Sequence, residues 1–151
     1  MRDFVRICAV LFCSLALVPS GAHALELINK MGLPPPDYMV TQNIYRGWAL
    51  TGALVVFALI FTGWLSLMER GGSPAFWFAL LAFLCLAGTQ FVFWIFTYPM
   101  NVLTENWSKW PPDFETARRQ WEYSHAASAA LNLAALICVI LATTLPDSVL
   151  E

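Results

Sequence analysis

The stretch Leu17–Lys30, LVPSGAHALELINK, decides how many helices the chain has. Ala22-His23-Ala24 offers the small residues that a signal peptidase needs. It follows a short apolar run, Phe4–Val18, with Arg2 and Arg6 in front of it. Extended through Pro19-Ser20-Gly21-Ala22 to Leu25, the same run becomes long enough to span a bilayer, where proline is tolerated. On that second reading His23 and Glu26 stand three apart and share one face at a helix end. Composition alone leans towards a cleaved leader, and the rest of the chain bears on the choice.

The chain has 151 residues, 59% of them hydrophobic and 12% charged, against about 25% charged in an average soluble domain. Mean hydropathy is +0.63. These values describe a membrane protein whose first partner is the lipid bilayer. A net charge of −2 with no basic tail speaks against a nucleic-acid partner. Cys8, Cys13, Cys85 and Cys138 all lie in apolar runs and at no zinc-ligand or redox spacing, so they read as small hydrophobes.

Three further segments can span. Gly47–Met68 is interrupted only by threonines, a serine and glycines; Pro74–Tyr98 opens on a proline and is followed by Pro99; Ala126–Leu145 is closed by Pro146-Asp147. Each approaches the roughly 20 residues that a hydrocarbon core requires, and backbone without water must be helical. The expected fold is all-α: an integral membrane, antiparallel four-helix bundle forming a single membrane domain over 1–151. Its helices are expected at about 4–25, 46–68, 74–98 and 119–145. Glu69–Ser73 is the tight turn, Asn29–Ile44 a loop with three consecutive prolines, and Thr97–His125 the long polar and aromatic loop. Trp107, Trp110, Trp121 and Tyr123 there suit an interfacial belt. Lys30, Arg46, Lys109, Arg118 and Arg119 fall on the long-loop side, against Arg2, Arg6 and Arg70 on the other, too even a division to fix orientation.

The chain has two histidines, each with a glutamate at helical spacing: His23-x-x-Glu26 and Glu122-x-x-His125. If the first helix is retained, an antiparallel bundle carries both pairs to one membrane face. Imidazole and carboxylate suit a transition metal, with His23, His125 and Glu122 as the candidate ligands. The same groups could do general acid–base work, or could simply form ion pairs near the headgroups. Asp113 is a candidate N-cap for the last helix. Arg118 is either paired with Glu115 and Glu122 or poised to neutralise an anionic or enolic ligand by its guanidinium fork. Asn101 either caps the third helix or hydrogen-bonds into a cleft. Thr89 and Gln90 read as interhelical glue, and Arg46-Gly47 as a snorkelling arginine beside a close-packing glycine.

YRGW (Tyr45–Trp48), YPMN (Tyr98–Asn101) and RRQWEYSH (Arg118–His125), in that order, resemble the anthrone-oxygenase-like family of small four-helix membrane proteins. Most bacterial members of that family are domains of unknown function. The resemblance runs from about Ala22 to about Thr144. Members commonly keep an Ala-His-x-x-Glu-Leu stretch at the end of a retained first helix, which Ala22, His23, Glu26 and Leu27 match, with Ile28 where a proline is usual. The resemblance therefore favours a retained helix and a multi-pass protein of a bacterial inner membrane. It also implies an oxygenase acting on a hydrophobic aromatic small molecule, since characterised fungal relatives oxidise anthrones to anthraquinones. His125 or His23 would take the proton, Glu122 or Glu26 would orient the ring, and Arg118 or Asn101 would stabilise the enolate. Trp107, Trp121 and Tyr98 would contact the substrate, with no cofactor or a single transition metal. The competing function is a non-catalytic accessory or structural subunit, motivated by the small residues of AASAALNLAAL (Ala126–Leu136). Oligomeric state is left open.

Overall fold

The computed structural model describes residues 1–69 and 72–145. Arg70-Gly71 of the expected turn and the closing Pro146-Asp147 lie outside the described residues. Among those described, every regular element is helical. The helices are α1 (Arg2–Met31), α2 (Pro35–Thr41), α3 (Gly52–Met68), α4 (Pro74–Val92), α5 (Tyr98–Leu103) and α6 (Phe114–Thr144). Short 3₁₀ turns at Gln42–Tyr45 and Trp48–Thr51 lead into α3, and a π turn, Phe93–Thr97, joins α4 to α5. Four stretches are long and apolar enough to cross a membrane: Arg2–Met31, Trp48–Met68, Pro74–Leu103 and Phe114–Thr144.

Several boundaries move outward from those expected. α1 continues past Leu25 to Met31, because nothing in Glu26–Lys30 breaks a helix. Pro19 lies inside it, and Ser20 Oγ donates to the carbonyls of Ala16 and Leu17 at 3.2 and 3.3 Å in the turn that the proline loosens. Part of the proline-rich loop is itself helical, since Pro35 at N1 is preorganised for a first turn. Pro99 does not end the third span: the π turn absorbs it and α5 carries on to Leu103. α6 starts at Phe114 rather than 119, where Asp113 Oδ1 accepts the Thr116 N–H at 3.1 Å.

α1 packs on α3 and α6, and α4 also packs on both α3 and α6. The core between them is built from small side chains, including Ala9, Cys13, Ala58, Ala79, Ala82, Ala135 and Ala142, which let helices approach closely. Of the alanines in AASAALNLAAL, Ala129 and Ala135 are thereby buried against the chain's own helices, whereas Ala127 and Ala130 are exposed. Large apolar side chains point outwards instead: Ile60, Leu81, Phe91 and Ile137 are 47–64% exposed. Glu69, at the end of α3, pairs with Arg2 and lies 2.9 Å from Arg6 at the start of α1. A second apolar cluster sits at the opposite end, around Tyr38, Trp107, Ala117 and Trp121.

Candidate functional site: a histidine pair on an aromatic cavity

The two histidines meet. His23 of α1 and His125 of α6 stack with ring centroids 4.1 Å apart and planes inclined by 21°. Trp121, one helical turn before His125, stands edge-on to both rings, 4.3 Å from His125 and 5.1 Å from His23. Tyr45 lies tilted against His23, with ring centroids 4.3 Å apart.

Behind this stack lies a charged cluster centred on Lys30, in the last turn of α1 and 3% exposed. Its Nζ is 2.9 Å from Glu122 Oε2, 3.7 Å from Glu26 Oε2 and 3.2 Å from His23 Nδ1. The rings of Tyr45 and Trp121 lie 4.9 and 5.3 Å from the ammonium. Tyr38 Oη donates to Glu122 Oε1 at 2.9 Å, and Tyr45 Oη donates to Glu26. Both phenols are held well above the ordinary tyrosine range. Burial is the main cause; the Glu122 carboxylate adds to it for Tyr38, and the bond to Glu26 for Tyr45. An ammonium donates and never accepts, so His23 Nδ1 is the acceptor and neutral His23 carries its proton on Nε2. His125 makes no hydrogen bond among the described residues.

The histidine pair forms part of the wall of a cavity of about 680 Å³. Tyr45, Trp48, Phe93, Trp107 and Trp121 supply its aromatic surface, and Arg46, Gly47 and Asn106 lie along its loop side. Trp121 Nε1–H donates to Asn101 Oδ1 at 2.7 Å, which fixes that amide and leaves its NH₂ unused. Trp107 Nε1 and both amide atoms of Gln42 are buried without a protein partner, and both residues line the cavity. Three successive left-handed residues, Glu105, Asn106 and Trp107 (φ 49, 55 and 62°), turn Trp107 inwards. Its N–H is held by Thr104 Oγ1 at 3.0 Å. Such backbone is costly for residues with a Cβ and clusters at functional sites.

Several expectations need correction. Arg118 is buried away from the cavity: it donates to the Leu33 carbonyl at 2.9 Å and to Glu115 at 2.8 Å, and stacks over Tyr38 and Phe114. It pairs with Glu115 and not with Glu122, and it does not line the cavity described above. Tyr98 is 44% exposed, leans on Phe93 and Trp94, and does not line the cavity. Trp107 and Trp121 are 5% and 4% exposed, so they are cavity walls and not an interfacial belt; Trp110 and Tyr123 are exposed. Gly47 has φ +90°, and a Cβ placed on it would meet nothing within 4 Å, so it serves a left-handed turn and not close packing. Thr89 and Gln90 keep their hydrogen bonds within α4 and line the cavity.

The proposed ligand set of His23, His125 and Glu122 does not fit a metal. Among the described residues no group of three or more His, Cys, Asp or Glu is arranged to hold one. The imidazoles are stacked face to face, whereas their lone pairs lie in the ring planes. His23 Nδ1 faces an ammonium, and Glu122 is taken by Lys30 and Tyr38. Sequence pattern does not single out Lys30, Tyr38 or Gln42 as site residues, and Tyr45 stands out only as the first residue of YRGW. The i, i+4 spacing of Glu26 and Lys30 hints at Lys30 alone.

No protein-family model matches the chain, and neither a curated protein nor a solved structure is similar to it.

Proposed function

We propose that the chain is an antiparallel four-helix bundle of a bacterial inner membrane, as the family resemblance implies. In it α1 is retained, and the cavity binds a flat, apolar small molecule and removes a proton from it. The observation that carries this reading is the placement of His125, without a hydrogen-bond partner, on the wall of an aromatic cavity that also holds unpartnered buried polar groups. His125 is the base. His23 is a positioning residue: Lys30 fixes its tautomer, and its ring fixes the plane of His125. Glu122 and Glu26 act through Lys30. The Asn101 NH₂, Trp107 Nε1–H and Gln42 amide are the donors available to a developing oxyanion.

The resemblance to anthrone oxygenases supplies the reaction class. A methylene flanked by two aryl rings and conjugated through them to a ring ketone loses a proton to His125, and the resulting enolate, its charge on the former ketone oxygen, reacts with dioxygen. Overall, CH₂ and O₂ give C=O and H₂O, with the carbon losing four electrons and dioxygen gaining them. Purified protein in lipid nanodiscs, given anthrone in air, should form anthraquinone faster than empty nanodiscs do. His125→Ala should lower that rate about 10²–10⁴-fold. A wild-type rate equal to that of empty nanodiscs would sink the proposal, and so would an unimpaired His125→Ala.

A further inference from the structure

The deep half of the cavity carries polar groups for which proton removal at His125 has no use. Trp121, His125, Ser128 and Asn132 all line it, and their spacing puts them in one stripe along α6. Asn132 lies two turns beyond His125, roughly 10 Å along the helix. It is 3% exposed. Its Nδ2–H donates to Ser20 Oγ at 3.0 Å. The Ser20 hydrogen is itself given to the carbonyls of Ala16 and Leu17, so Ser20 can offer Asn132 only a lone pair. The amide orientation is therefore fixed, and Oδ1 is the end left over. That oxygen is buried, has no protein partner, and belongs to a residue on the cavity wall. A buried acceptor left unmatched is expensive, and a donor brought by the ligand would match it.

We propose that Asn132 Oδ1 recognises a hydroxyl group at the far end of the ligand. The substrate is then a flat aromatic with a phenolic O–H roughly 10 Å from the position that His125 deprotonates. A neutral donor is required. The carboxylate on the cavity wall, Glu105, belongs to an exposed side chain of the loop, and a cation at the deep end would be buried without a counter-charge. Aromatic character follows from the rings of Tyr45, Trp48, Phe93, Trp107 and Trp121 in the cavity wall. This assignment rests on the reading of the cavity as the substrate site.

The test compares 4-hydroxybiphenyl with 4-fluorobiphenyl, which is close in size and has no donor, on protein in lipid nanodiscs with empty nanodiscs as the blank. The hydroxyl compound should bind wild-type protein about tenfold more tightly. That preference should vanish in Asn132→Leu while 4-fluorobiphenyl still binds. Should Asn132→Leu fail to fold, Ser20→Ala frees the amide to rotate and should narrow the preference. Equal binding of the two probes to wild type overturns the assignment, as does a preference that survives Asn132→Leu. His125→Ala should keep the preference while losing anthrone turnover. Turnover without preference sinks this site alone, and failure of both probes to bind sinks the cavity reading with it.

Discussion

Lys30 is held by carboxylates from two helices, Glu26 on its own and Glu122 on α6. With Lys30 and Glu122 both almost completely buried, removing one partner strands the other charge, at a cost of about 3–5 kcal/mol. Lys30→Met should therefore lower the melting temperature in detergent sharply, and Lys30→Met with Glu122→Gln should recover part of it. An unchanged melting temperature in the single variant would refute the pairing. The two phenols beside this cluster give a pH dependence of defined sign. Their folded pKa values lie above the ordinary value of about 10, so the folded state keeps protons that the unfolded state loses. Their contribution is fully present below about pH 10 and falls as pH rises past it. Absorbance at alkaline pH should show Tyr38 and Tyr45 ionising above the ordinary tyrosine range, with melting temperature declining as pH rises past about 10. His23, Glu26, Glu122 and His125 stand out in the sequence because i, i+3 spacing is local, but the structure pairs the histidines with each other and the glutamates with Lys30. Lys30 does not stand out, because its burial depends on a glutamate far along the chain, and a lysine beside a proline-rich segment reads as solvated.

At the scale of elements, the spans were legible from apolar length, while their ends were set by details that length does not carry. Asp113 was identifiable as a cap, yet α6 begins at that cap and so brings Arg118 into the helix and under Tyr38. The π turn after α4 has no evident sequence signature, and without it Pro99 reads as a stop. Gly47 is the clearest single-residue test at this scale. Its φ of +90° meets no steric obstacle beyond its own backbone, so Gly47→Ala should cost about 1–2 kcal/mol through the left-handed conformation alone. Gly47→Asn should cost less, since asparagine tolerates that region. Chemical denaturation of the two variants separates this account from one based on packing, which would rank the bulkier asparagine as worse.

For the whole molecule, burial changes the charge arithmetic. Lys30 and Arg118 are spent inside the protein, leaving Arg46, Lys109 and Arg119 against Arg2, Arg6 and Arg70, so charge asymmetry gives no orientation. The proposed site needs α1 whole, because cleavage after Ala24 would remove His23. Intact mass of the purified protein should accordingly include residues 1–24, and a start at Leu25 would dismantle the histidine pair. With the four helices across a bilayer, the cavity floor at Ala16, Val55 and Asn132 lies within the lipid layer, where a flat aromatic solute already accumulates. The concentration that governs occupancy is then the mole fraction of solute in the lipid and not its molarity in water. Adding empty vesicles at constant total solute should dilute the solute within the lipid and slow turnover, although the amount of solute per volume of sample has not changed.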